Sequence, residues 1–330
     1  MLNQNSGYGQ AILANLASQV GVIGNVHIVM NSANTDEKNY KHMQDLFPAD
    51  ADGNARFYTS LESAYAACES NNNDVVLLDG NSAHVIAEQL TIAKNRIHFF
   101  GLDGGGRLHG QGAKVQNTDG TAAISVIHVT GTRNTFHNIK FIQVDDDATS
   151  LNVLTEAGES SLYKNCSFIF GVADNLDQTD AYEVFMSGDS TEFHECTFGA
   201  DTLTTSAARA IMAFDKTGTA RAKSVVVKDC IFNVASTSAD VNFVRVMAIS
   251  DLAYGNVFIN CVFLASIIGT ISAITLTDAV DSVGSLAEGN VLFVNPATNC
   301  TNFSSTTSDN FSVVGPIGVA ATTGVGVTPS

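Results

Sequence analysis

Along most of this chain the apolar residues come in short runs, separated by polar turns that often carry glycine. Val75-Val-Leu-Leu78, Val85-Ile86, Leu90-Thr-Ile92, Ile97-His-Phe-Phe100 and Ile124 to Val129 are such runs, and no helical periodicity links them. The first part of the chain is patterned differently. Leu13, Leu16, Ala17 and Val20 fall at i, i+3, i+4 and i+7, which predicts a helix over 11–20. Val26-His-Ile-Val-Met30 reads as a strand. Thr59 and Glu62 form a T-x-x-E capping box for a second helix, with Leu61, Ala64, Tyr65 and Cys68 as its apolar face. Asn71-Asn-Asn73 ends it.

The short runs repeat. Phe141, Phe168, Phe198, Phe232, Phe263 and Phe293 are separated by 27, 30, 34, 31 and 30 residues. Each closes a similar cassette: Asn138-Ile-Lys-Phe141, Asn165-Cys-Ser-Phe168, Glu195-Cys-Thr-Phe198, Asp229-Cys-Ile-Phe232, Asn260-Cys-Val-Phe263 and Asn290-Val-Leu-Phe293. Such a period marks stacked supersecondary units. Strands this short cannot support a flat sheet, whereas coils stacked at roughly 4.8 Å bury a continuous column. Seven or eight coils between residues 74 and 296 would make a rod on the order of 35 Å long. No proline occurs between Pro48 and Pro296, as expected where backbone N–H groups join ladders. The six phenylalanines are expected to stack as one aromatic ladder, with asparagine or an acid at the turn before each strand. Cys166, Cys196, Cys230 and Cys261 hold one slot of the cassette and are expected to form a buried column of free thiols. An in-register parallel ladder does not readily give disulfide geometry.

This pattern resembles the right-handed parallel β-helix of the pectin-lyase-like superfamily. The expected class is therefore all-β, a right-handed parallel β-helix with short N-terminal helices, one of them capping the first coil. The chain divides into an attachment segment (1–56), a capping helix (57–73), the rod (74–298) and an extended tail rich in Ser, Thr, Gly and Val (299–330).

Charge narrows the partners. The 330 residues include 33 Asp and Glu against 16 Lys and Arg, a net charge of −17. That sign repels nucleic-acid phosphates and anionic lipid, so neither nucleic acid nor membrane is an expected partner. No apolar stretch is long enough to span a bilayer. Met1 to Gly9 lack the features of a secretory signal, and synthesis in the cytoplasm is expected.

Candidate chemistry is sparse. Asn117-Thr-Asp-Gly120 followed by Asp145-Asp-Asp147 is similar to the first two motifs of the polygalacturonases, but no Gly-His-Gly or Arg-Ile-Lys follows. Asp119, Asp145 and Asp146 are the acids an inverting hydrolase would use, about 6.5–9.5 Å apart with a water between. Consecutive aspartates suit a solvated turn better than a calcium cage. No C-x-x-C spacing signals a metal, and Cys68 and Cys300 stand outside the column. The glycine-rich Asp103 to Gly112 opens no helix and reads as a turn. His84, His98, His109, His128 and His137 read as surface or turn residues, and His27 and His42 fall outside the rod. Tryptophan is absent and only 7 Tyr occur, which removes the usual stacking platforms of a sugar cleft.

A second resemblance is narrower. Asp52-Gly-Asn-Ala-Arg-Phe-Tyr-Thr-Ser-Leu-Glu-Ser-Ala-Tyr-Ala-Ala-Cys68, then Asp74-Val-Val-Leu-Leu-Asp-Gly80, His84, Leu90-Thr-Ile92 and Asn95-Arg-Ile-His-Phe-Phe-Gly101, is similar to the opening of β-helix structural proteins of tailed bacteriophages. Gly7-Tyr-Gly9 and the helix at 11–20 match the same layout, and the resemblance covers residues 7 to 141. It implies a non-enzymatic protein on the virion surface: a capsid decoration, cement or short spike, homotrimeric, bound to the major capsid protein or other virion proteins, with no cofactor or metal. Leu13, Leu16 and Val20, with Val313 and Val325 in the tail, are the attachment residues on that reading. The alternative is a tail-associated spike that binds or depolymerises a glycan through Asp119, Asp145 and Asp146.

Overall fold

The computed structural model describes residues 23–30, 56–80, 83–102, 112–217, 220–238, 240–247, 255–267, 275–279, 291–300, 302–304 and 311–314, with isolated positions at 21, 41, 44, 45, 49 and 53. Among the described residues three parallel sheets of eleven, nine and eight strands run along the rod, and a typical coil contributes one strand to each. The coil that opens with Thr135–His137, for example, continues through Lys140–Gln143 and Asn152–Glu156 before Leu162–Lys164 begins the next. The strands of neighbouring coils pair in register. The protein is a right-handed parallel β-helix, as the resemblance implies, built of the stacked coils that the repeat predicts.

The turn from the first to the second sheet is a single residue in the left-handed region: Asn138, Asn165, Glu195, Asp229, Asn260 and Asn295, with φ between 50° and 57°. Asparagine tolerates this conformation better than most residues, which explains the polar residue that opens each cassette. Asn165 Nδ2 donates to Asn138 Oδ1 at 2.8 Å, and Asn260 Nδ2 donates to Asp229 Oδ1 at 3.2 Å. The other turns vary in length, and that variation spreads the phenylalanine spacing.

The aromatic ladder is two ladders. Phe141, Phe168, Phe198, Phe232 and Phe263 stack on the second sheet with centroids 5.3, 5.4, 4.6 and 4.8 Å apart. Phe293, expected as their sixth member, belongs to the first sheet. It pairs with Phe258 and stacks on it at 4.8 Å, while Thr298 follows Phe263. The last true cassette starts at Asn295, so Pro296 stands in the cysteine slot. Phe99, Phe136, Tyr163 and Phe193 form the second ladder's other stack, at 4.9, 4.8 and 4.8 Å. The ladders meet edge-on, as in Tyr163 against Phe168. Offset and edge-to-face contacts of this kind suit the ring quadrupole.

The four cassette cysteines are free and buried. Each thiol donates to a first-sheet carbonyl one coil back: Cys166 to Phe136 at 3.3 Å, Cys196 to Tyr163 at 3.5 Å, Cys230 to Phe193 at 3.4 Å and Cys261 to Val227 at 3.4 Å. Burial pushes the Cys196, Cys230 and Cys261 thiols far up.

At the N-terminal end the first sheet gains two rungs before the first coil: Val26–Val29 pairs with both Phe57–Tyr58 and Asp74–Leu78. The rod thus begins earlier than residue 74. The helix Leu61–Ala67 buries Leu61, Ala64 and Tyr65 over this end. Its N-cap is Ser60, whose hydroxyl accepts from the Ser63 N–H, one position past the expected Thr59. Glu62 instead accepts from the Ala87 N–H at 2.9 Å. At the other end Lys94 Nζ donates to the Tyr65, Ala66 and Cys68 carbonyls, satisfying the helix terminus.

The rod also extends past 298, because Asn302–Ser304 and Phe311–Val314 add strands to the third and first sheets. Val313, expected to serve attachment, is 5% exposed and packs under Phe293, so it is a core residue. Leu13, Leu16, Val20 and Val325 lie outside the described residues, as does the helix expected at 11–20. Among the described residues no helix is long and apolar enough to cross a membrane.

Candidate functional site

The three acids singled out in the sequence do come together. Asp119 sits in the turn after Lys114–Gln116, and Asp145 and Asp146 in the stacked turn after Lys140–Gln143, one coil on. Asn117 Oδ1 accepts from the Val144 N–H at 2.9 Å and ties the two turns. Carboxylate oxygens of Asp119, Asp145 and Asp146 lie within 4.8 Å of one another.

Their roles differ. Asp145 is fully buried and accepts from the N–H groups of Gly120, Thr121, Ala123 and Asp147 and the hydroxyls of Thr121 and Ser150. Burial alone would raise its pKa, but these donors outweigh it and hold the group at about 2. It is a charged turn anchor with its lone pairs engaged. Asp119 and Asp146 are exposed, and the Asp146 N–H donates to Asp119 Oδ1 at 3.3 Å. The Asp119 charge, with Asp174 one coil further on, pushes the Asp146 carboxyl up. Asp174 lies on the short helix Ala173–Leu176, which no sequence pattern marked. The result is an acidic ridge across three coils. Its exposed carboxylates are those of Asp119, Asp146 and Asp174.

Of the five histidines expected at surface or turn positions three are buried, His128 is half-buried, and His109 lies outside the described residues. His84, His98 and His137 are 4%, 6% and 6% exposed. His84 Nε2 donates to the Asp79 carbonyl, His98 Nδ1 bonds the Thr135 hydroxyl, and His137 stacks on Phe100 at 4.5 Å. Burial pushes His98 and His137 down to about 4, so both are neutral near pH 7.

Three further ionisable side chains escaped sequence reasoning altogether. Glu156 points into the core from the third sheet, in the column of Val129 and Met186, and bonds the Tyr163 hydroxyl. Glu183 and Arg209 form a buried ion pair beside a cavity of about 10 Å³, room for roughly one water. Burial pushes both glutamates up to about 7. A glutamate in an alternating strand gives no sequence signal that its face is the inner one.

No protein-family model and no curated protein matches the sequence. Among solved structures, a pectin methylesterase in complex with a hexasaccharide superposes with a TM-score of 0.58 at 14% identity, over 91% of this chain and 90% of that one. The pectin methylesterase PemA from Erwinia chrysanthemi gives 0.57 at 15% identity, over 91% of each chain. The enzyme from Aspergillus niger gives 0.51 at 13%, over 89% of this chain and 82% of that one. The shared fold is the parallel β-helix. At these identities the likeness is one of backbone.

Proposed function

We propose that this protein is a non-enzymatic structural component of a tailed-phage virion, a homotrimer that decorates or cements the capsid. The observation that carries the reading is the state of Asp145. The best-placed acid of the polygalacturonase-like motif is consumed by six donors as a turn anchor. It has no proton to give near neutral pH and no free lone pair to take one. The phage-like layout of the first coils supports the same reading, as does a rod held rigid by two aromatic ladders. The subunit contact we propose is the outer face of the first sheet near its C-terminal end. There Val226, Val257, Ile259, Leu292 and Val294 are half-buried and Val314 is 52% exposed. An apolar stripe of this kind is suited to association.

Copy number in gradient-purified virions tests the proposal. Tens to hundreds of chains per particle support capsid decoration, whereas absence from the particle refutes it. The exposed Asp119–Asp146 pair favours a second reading, a spike that binds or cleaves a glycan. Pectic oligosaccharides are the first probe, since the solved neighbours are pectin methylesterases. Cleavage that is lost in both Asp119→Asn and Asp146→Asn establishes this second reading.

A further inference from the structure

Outside the acidic ridge, one cluster at the N-terminal end combines three different donor types. His27 lies on Val26–Val29, Cys68 is the C-cap of the helix Leu61–Ala67, and Asp74 opens the adjacent strand Asp74–Leu78. They are 6%, 3% and 0% exposed. One ligand atom from each, imidazole nitrogen, thiol sulfur and carboxylate oxygen, lies within 4.8 Å of the others.

The surroundings already resemble the support of a ligand set. His27 Nδ1 hydrogen-bonds the Tyr58 hydroxyl at 3.2 Å. With Nδ1–H as the donor, the lone pair sits on Nε2. That atom is buried without a hydrogen-bond partner and stands 3.7 Å from Asp74 Oδ2. A buried nitrogen that makes no hydrogen bond and faces a carboxylate at that distance costs free energy unless a proton or an ion lies between them. Asp74 is fixed by the N–H groups of Asn25 and Glu69, both at 2.6 Å, and by Asn72 Nδ2 at 2.7 Å. Partners on the far side of a histidine and around a carboxylate are what hold metal ligands in place. Packing here is close: a Cβ on Gly24 would meet Asp74 Oδ1 at 2.5 Å.

We propose that His27 Nε2, Cys68 Sγ and an Asp74 oxygen bind one divalent transition-metal ion of the zinc class, which ties the N-terminal strand and the capping helix to the first coil. A mixed nitrogen, sulfur and oxygen set suits Zn²⁺ and its Co²⁺ surrogate over Ca²⁺ or Mg²⁺. Without metal the thiol stays protonated and donates to the Ala64 carbonyl at 3.3 Å, since burial and the Asp74 charge push it up to about 12. Binding breaks the S–H bond, forms the S–metal bond and releases one proton to solvent.

The test uses the full chain, stripped with chelator and refolded with Co²⁺ so that burial of the site is no barrier. One equivalent bound, a near-ultraviolet thiolate-to-cobalt band and one proton released per metal are expected, with Zn²⁺ displacing Co²⁺. Cys68→Ser, close in size to the natural residue and checked for folding by circular dichroism, is expected to lose the band. Tyr58→Phe keeps all three ligands but weakens binding about tenfold or more through loss of the imidazole's support. The proposal is overturned if the natural chain shows no band after refolding, or if Cys68→Ser shows one of equal intensity.

Discussion

Replacing Glu156 with glutamine should make this protein more stable at alkaline pH, although the change removes a hydrogen-bonded carboxylate. Glu156 is fully buried on the inner face of the third sheet. One oxygen accepts from the Gly158 N–H at 2.8 Å, and the other bonds the Tyr163 hydroxyl. Burial raises its pKa from 4.5 to about 7, because the two bonds offset only part of the desolvation. The folded chain therefore holds this proton more tightly than the unfolded chain does. Its contribution to stability is complete below about pH 4.5, falls as pH rises and is gone above about pH 7. A shift of that size, at 1.36 kcal/mol per pH unit, corresponds to about 3 kcal/mol.

Glutamine reproduces the protonated acid: its oxygen accepts from Gly158, and its amide N–H donates to the Tyr163 hydroxyl. Urea unfolding of both proteins at pH 5 and pH 8 is the assay. Glu156→Gln should match the natural chain within about 1 kcal/mol at pH 5 and exceed it by about 2–3 kcal/mol at pH 8. Glu183, with its own raised pKa, titrates in both proteins and cancels in the difference. A variant that keeps the natural pH slope, or is the less stable protein at pH 8, refutes the assignment of a strained buried carboxylate.

Arg209→Met should cost about 3–5 kcal/mol, since it leaves the Glu183 carboxylate buried and unpaired and removes the guanidinium from the Phe170 face. Adding Glu183→Leu should recover most of that loss in the same urea assay. Phe168→Ala should cost about 3–5 kcal/mol, because the ring is stacked between Phe141 and Phe198 and meets Tyr163 and Phe193 edge-on. A loss under about 1 kcal/mol would mean that neighbouring coils collapse into the gap.

The repeat was legible because a parallel β-helix writes its core in one dimension: each coil places the same side chain over the last, and Phe141 to Phe263 record it. It misled at Phe293, where a first-sheet phenylalanine falls at nearly the right interval. Spacing carries no information about which sheet a residue faces. The left-handed turn supplies that information, since a residue with positive φ opens every true cassette and Asn295 has it. The tail was misjudged for a related reason. Phe311-Ser-Val-Val314 is a single strand whose core partners lie on the coil beneath, so no local repeat announces it.

The candidate site divides along the same line. Stacked turns bring Asp119 and Asp146 together because coils are in register, and their adjacency follows once the fold is known. The demotion of Asp145 does not follow, since it depends on four backbone N–H groups turning inward around one carboxylate. His27, Cys68 and Asp74 lie further still from sequence logic. They are brought together by a strand inserted beside the first coil and a helix folded over its end, two elements outside the repeat. In a solenoid the repeating part is specified by pattern, and chemistry concentrates where the pattern is broken. At the capped end only the first sheet continues, so the strand, the helix and the first coil are joined by fewer rungs than the coils of the rod. A buried ion shared by all three would add to the strand pairing and helix packing that already join them.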